Sequence, residues 1–283
     1  MEEKSQGNLP GDVLVLRQIG ENEWSFEFPR LTPEVHEEFH KAVDLWQEEY
    51  LSQAEEQYHQ LLSSYPEFID AYHQLAILLE ETNRTRQALQ TWNEAVGLGF
   101  SCFPKDFSIG EDLLPWGFLD NRPFLRAYEG LGLTLMENGE TESAFTSFMN
   151  LLALNPNDNQ GVRAIAIDCC FRLGRPWEVL GIAERFPLDI TPEVLYGRVL
   201  ALYQMGLEEE AETALKGAMH CLPLVGRELA KKRHNQPDNL YSNMVTVGGA
   251  DEAYWYWNDQ GHHWKNTPGA LDFVRAGVEK ADQ

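Results

Sequence analysis

The chain is short of basic residues, of cysteine and of long apolar runs, and each shortage removes a class of function. Lysine and arginine total 22 of 283 residues against 45 aspartates and glutamates, a formal charge of −23. Such a charge repels phosphate backbones and anionic lipid surfaces, so neither nucleic acid nor membrane is expected as a partner. The four cysteines are Cys102, the adjacent Cys169 and Cys170, and Cys221. None has the C-x-x-C spacing that clips zinc or runs dithiol exchange, and a disulfide between chain neighbours is strained, so the adjacent pair reads as two buried small residues in a reducing compartment. No stretch is apolar for long enough to span a bilayer, and Met1 to Gln6 lack the basic start and apolar run of a secretory leader. A cytoplasmic protein is expected. A glycine-rich phosphate loop, a G-x-S-x-G elbow and a Ser/His/Asp pattern are also missing, and no cofactor is expected.

What is present is a repeat. Hydrophobic residues make up 43% of the chain, enough for a sizeable core. Ala54 stands four residues before Tyr58, and Ala88, 34 positions on, stands four before Trp92. The unit returns at Ala144 with Phe148 and at Ala211 with Leu215. Twelve positions upstream of these anchors lie Ala42, Ala76, Gly132 and Val199, small or short residues where the two helices of a hairpin touch most closely. Twelve positions downstream of three anchors stand Pro66, Pro156 and Pro223, which stop one helix before the next begins. The apolar spacing around the anchors, as in Tyr128, Leu131, Gly132 and Leu135, is helical and not alternating.

On these residues the chain resembles the tetratricopeptide repeat family, whose pattern is W-x-x-L-G-x-x-Y, A-x-x-x-F and P. The match runs through Tyr72, Leu75, Ala76, Ala88 and Trp92, and again through Tyr128, Leu131, Gly132, Ala144, Phe148 and Pro156. The first repeat departs from it with Glu38 and Lys41, the last with Leu195 and Arg198. The stretches W-G-x-x-x-N-R-P-F-L-R-A from Trp116 and L-N-P-N-D-N-Q-G-V-R from Leu154 are similar to a variant among bacterial members; that likeness supplies no activity. The resemblance implies an all-α solenoid of helical hairpins, a protein-binding adaptor or scaffold, and no enzyme.

Spacing also exposes irregularities. From Ala88 to Ala144 is 56 positions, 22 beyond one period, which places an insertion at 99–122. From Ala144 to Ala211 is 67, one short of two periods, so a degenerate fourth repeat fills 159–190, with its turn at Gly174 and Pro176. Val13 to Val15 and Trp24 to Phe28 flank Gly20, Glu21 and Asn22 as a β-hairpin does, covering the first repeat's apolar face. Thr32-Pro33, Thr191-Pro192 and Thr267-Pro268 read as capped helix starts. The expected organisation is an N-terminal extension with the β-hairpin at 1–31, repeats 1 and 2 at 32–98, the aromatic insertion folded back at 99–122, repeats 3 to 5 at 123–223, and C-terminal capping helices at 224–283. There Tyr254, Trp257 and Trp264 share a helical face, after a basic cluster at Lys231, Lys232, Arg233 and His234.

In the resembled family the first helix of each hairpin lines a concave groove. Carried over, that groove holds Phe39, Val43 and Trp46 from the first repeat, with His36 and Gln47 beside them. Asp70, His73, Ile77, Glu80 and Glu81 follow from the second, and Arg126, Glu129, Leu133, Met136 and Glu137 from the third. It is apolar and acidic, and suits a basic or amphipathic peptide; the alternative is a merely solvated acidic face. Members that clamp acidic chaperone tails use lysine, asparagine and arginine here, and those are mostly missing, so a carboxylate clamp is not expected.

One rival deserves weight. His36-Glu37-Glu38-Phe39-His40 satisfies H-E-x-x-H, the zinc hydrolase signature. It lies in the opening helix of a repeat, and its third ligand would have to be Glu55 or Glu56, which nothing aims at it. A structural subunit of a stable complex is another possibility. His262 and His263, adjacent on a helix, should point about 100° apart and not share an ion.

Overall fold

The computed structural model describes residues 13–238 and 244–281. The reading of Met1 to Gln6 lies outside them. The described chain is helical apart from one two-stranded sheet, and divides into two compact units after Val162.

The first unit holds three helical hairpins: α1 (Pro33–Gln47) with α2 (Leu51–Ser64), α3 (Ile69–Glu81) with α4 (Thr85–Ser101), and α5 (Arg122–Glu137) with α6 (Thr141–Leu154). The small residues sit at the crossings. Ala42, Ala54, Ala76, Ala88 and Ala144 are fully buried. A Cβ on Gly132 would stand 2.7 Å from the Phe148 ring, and one on Gly130 2.5 Å from that of Trp92. The backbones approach only because nothing intervenes.

Each hairpin turns the same way. The backbone N–H of Tyr50 donates to Leu45 O at 2.8 Å, Arg84 to Leu79 O at 2.8 Å, and Glu140 to Leu135 O at 2.9 Å. Just before each donor stands one left-handed residue, Glu49 at φ 65°, Asn83 at 59° and Gly139 at 81°. This is the Schellman closure, in which a left-handed residue lets the chain satisfy the helix's last carbonyls.

The sheet is the antiparallel pair β1 (Val15–Gln18) and β2 (Trp24–Glu27), with Leu16 opposite Phe26. The first strand lies later than Val13 to Val15, because Leu14 and Leu16 are the residues that turn inward. The sheet also faces a different neighbour from the one expected. Phe26 packs on Phe103 of the insertion and Phe124 of α5, at centroid distances of 6.3 and 5.3 Å, rather than covering the first repeat. The insertion is tied down: Trp24 N donates to Leu113 O at 2.9 Å, Trp24 Nε1 to Asp112 at 2.8 Å, and Leu114 N to Leu154 O at 2.7 Å. Asn121, fully buried, accepts from Phe26 N at 3.0 Å and donates to Trp24 O and Pro115 O at 2.9 and 3.1 Å. One side chain thus satisfies three backbone groups that burial would otherwise strand.

The second unit has two hairpins, α7 (Val162–Arg172) with the ten-residue α8 (Pro176–Arg185), and α9 (Pro192–Gln204) with α10 (Glu208–Cys221). They close alike, Arg175 N donating to Cys170 O at 2.9 Å and Leu207 N to Leu202 O at 3.0 Å, with Gly174 and Gly206 left-handed. Three helices cap the last hairpin: α11 (Pro223–Ala230), α12 (Ala250–Asn266) and α13 (Ala270–Ala281). Tyr196 and Val199 of α9 and Leu215 of α10 share one core with Tyr256, Trp257, Trp264, Val274 and Val278. The inward aromatic at the start of α12 is Tyr256, whose hydroxyl accepts Trp264 Nε1 at 3.0 Å; Tyr254 is only half-buried. The basic cluster is anchored too. Glu228, buried, accepts from Lys231 Nζ at 2.5 Å and contacts His234 at 2.9 Å, and the His234 ring stacks on Trp257 at 3.5 Å.

The threonine starts work differently from expectation. Thr32 and Thr191 occupy the cap positions without a side-chain cap bond, leaving proline to set the first turn. Thr267 closes α12, donating to His263 O at 2.9 Å. Among the described residues no helix is long and apolar enough to cross a membrane.

Candidate functional site

The first helices α1, α3 and α5 of the first unit lie side by side, joined by polar struts. Trp46 Nε1 on α1 donates to Glu81 Oε2 on α3 at 2.8 Å. Glu80 accepts from Trp92 Nε1 at 3.2 Å and from the hydroxyl of Thr134 on α5. Arg126 Nη2 donates to Asp70 Oδ1 at 2.7 Å. Glu129 accepts from Gln160 Nε2 at 2.5 Å, and burial holds its carboxyl above the usual range. Four of the five groove acids are therefore engaged within the protein, and Glu137 stays exposed.

Burial sorts the remaining groove residues. Phe39 is a core residue packed on Tyr58 and Phe68. His73 leans on Trp92 at 5.3 Å; burial, then the nearby Arg126 charge, push its pKa down to about 4, so it is neutral at pH 7. Its Nδ1 is buried without a hydrogen-bond partner. Val43, Ile77 and Leu133, at one equivalent position on the three helices, are half-buried, as are Trp46 and Met136. At one end of this wall His36, Asp70 and Arg126 meet Leu119, Asp120 and Arg122 around a cavity of about 410 Å³.

Thr134, Trp92 and Gln160 belong to this wall and were not among the sequence candidates. Thr134 is one residue after Leu133 and two after Gly132, so repeat phase carried onto polar side chains points to it.

His36, Glu37 and His40 are exposed on α1, with His36 edge-on to Phe68 at 5.4 Å. Among the described residues no third His, Cys, Asp or Glu joins them to form a metal-sized group. The one such group there is Asp168, His262 and His263 in the second unit. The two adjacent rings converge, with centroids 3.8 Å apart, which corrects the expectation that helix neighbours diverge.

A tetratricopeptide repeat protein from Parabacteroides merdae is 14% identical, with 89% of this chain and 88% of that one covered and a TM-score of 0.49. MamA is 15% identical over 72% and 98%, with a TM-score of 0.49. YrrB, described as a tetratricopeptide protein with an unusual peptide-binding site, is 16% identical over 79% and 97%, with a TM-score of 0.46. No curated protein matches in sequence. The family model described as transcriptional repressor TCF25 matches residues 24–261, the greater part of the repeats and caps described above, and the chain belongs to the Tcf25 family.

Proposed function

We propose that this chain is a non-enzymatic interaction scaffold whose first unit holds a protein segment against the wall formed by α1, α3 and α5. The observation that carries the reading is the apolar set Val43, Trp46, Ile77, Leu133 and Met136, half-buried on three adjacent helices. The neighbouring acids already hold protein donors, so an incoming segment meets apolar pockets first and charge second. An amphipathic segment fits, with affinity from its apolar side chains and a basic flank speeding encounter in the field of a −23 chain. The family description names a transcriptional repressor. With this charge, we propose that any such role runs through protein contacts and not through DNA. Four free thiols support a reducing, cytoplasmic setting.

Affinity capture from native lysate, comparing wild type with Ile77→Asp and Leu133→Asp, tests the reading. Both positions are half-exposed, so each variant should fold while losing the partners that wild type retains. Partners retained equally by folded variants would move binding off this wall. A salt series separates the contributions: apolar seating leaves affinity nearly flat, whereas acid-dominated binding falls steeply.

A further inference from the structure

The trio on α7 and α12 has more than proximity. His263 Nε2 lies 2.6 Å from Asp168 Oδ1, both side chains buried, and one ligating atom from each of Asp168, His262 and His263 lies within 4.8 Å of the others. His262 is half-buried, which leaves the group a way in from solvent.

The surrounding contacts set the donors up. His262 Nδ1 is 2.9 Å from the backbone carbonyl of Asp259. A carbonyl only accepts, so Nδ1 carries the hydrogen and the lone pair is on Nε2. Asp168 accepts Arg172 Nε on its other oxygen at 2.7 Å. A ring nitrogen spent on a backbone carbonyl and a carboxylate steadied by a donor are the outer contacts that orient metal ligands. The Phe171 ring, 5.1 Å from that of His263, covers one side.

We propose that Asp168, His262 and His263 bind a divalent transition metal of the zinc class, clipping α7 of the degenerate hairpin to the capping helix α12. Two imidazoles and a carboxylate suit zinc, cobalt or nickel over magnesium or calcium, and leave a fourth position for water. The ion takes the place of the hydrogen shared by His263 Nε2 and Asp168. That hydrogen moves to Nδ1 of a neutral ring, or to solvent from a charged one, and no redox change is involved. This inference is independent of the groove on the first unit.

The test uses the full chain, stripped with chelator and titrated with zinc chloride against a chromophoric chelator, then with cobalt chloride followed by visible absorption. One equivalent of zinc should bind with micromolar affinity or better, cobalt should give the intense bands of a low-coordinate site, and the melting temperature should rise with zinc. His262 takes no part in the Asp168–His263 bond, so His262→Ala should melt like the metal-free wild type. It should bind zinc at least about tenfold more weakly. His220→Ala, at an exposed histidine on α10, should bind like wild type. Absence of saturable one-to-one binding, or equal affinity in His262→Ala, would overturn the site and leave a hydrogen-bonded Asp–His pair with a histidine beside it.

Discussion

Trp46 and Glu81 join the first hairpin to the second: the indole N–H reaches the carboxylate at 2.8 Å across 35 residues of sequence. The bond is exposed, so its net worth is small. Trp46→Phe should lower unfolding free energy by about 0.5–1.5 kcal/mol, read by urea denaturation. A double-mutant cycle with Glu81→Ala, which removes the acceptor, should return most of that loss as coupling.

Gly132 faces the Phe148 ring in the third hairpin, where a Cβ would stand 2.7 Å from it. Gly132→Leu should therefore cost about 1–3 kcal/mol, since either ring or helix must shift. A variant that melts like wild type would mean the helices cross elsewhere.

Glu49 holds a left-handed backbone where the third, fourth and fifth hairpins use glycine. Its side chain is exposed, and the conformation costs an L-residue about 1–2 kcal/mol. Part of this returns as added freedom of glycine in the unfolded chain. Glu49→Gly should raise stability by roughly 0.5–1 kcal/mol, and Gly139→Ala should lower it by a similar amount.

His73 titrates near 4 in the folded protein, below the ordinary histidine value of about 6.5. The unfolded chain takes up this proton first as pH falls. Stability contributed at neutral pH is thus lost between about 6.5 and 4, by up to about 3 kcal/mol. The raised carboxyl of Glu129 works in the opposite sense, gaining a proton more readily when folded. The comparison that isolates His73 is the pH dependence of wild type against His73→Gln, which should be flatter over that window.

Asn121 serves Phe26 N, Trp24 O and Pro115 O from a fully buried position. Asn121→Ala should cost about 2–4 kcal/mol, because those backbone groups have no water to turn to. Hydrogen exchange should report it first at β1, β2 and the insertion.

How far the sequence carries the fold depends on the range of the interaction. Ala54 with Tyr58, Ala88 with Trp92 and Gly132 with Phe148 announce their hairpins because the crossing is local and needs a small residue in a fixed phase. The direction of the β-hairpin was not legible, since Phe26 meets Phe124 across 98 positions and nothing periodic links them. The polar wall was half legible: phase named Trp46, Glu80 and Glu81, but not the Thr134 and Trp92 donors that occupy Glu80. Asp168 and His263 lie 95 residues apart, and periodicity says nothing of such pairs. Tyr254 in place of Tyr256 is a smaller error of the same kind, a face of α12 chosen by aromatic spacing when the partner core decides it.

The five identical turns have a consequence for how this chain varies. A closure written in main-chain atoms asks only that one residue accept a left-handed backbone, and Glu49, Asn83 and Gly139 all do, so the other side chains of the joint are free to vary. The stretch between two such closures behaves as a cassette: duplicating the one from Leu51 to Thr82, α2 with α3, together with the closure after it, joins ends of matching geometry. Lengthening or shortening the array is then an easier route to new specificity than reshaping any single member of it.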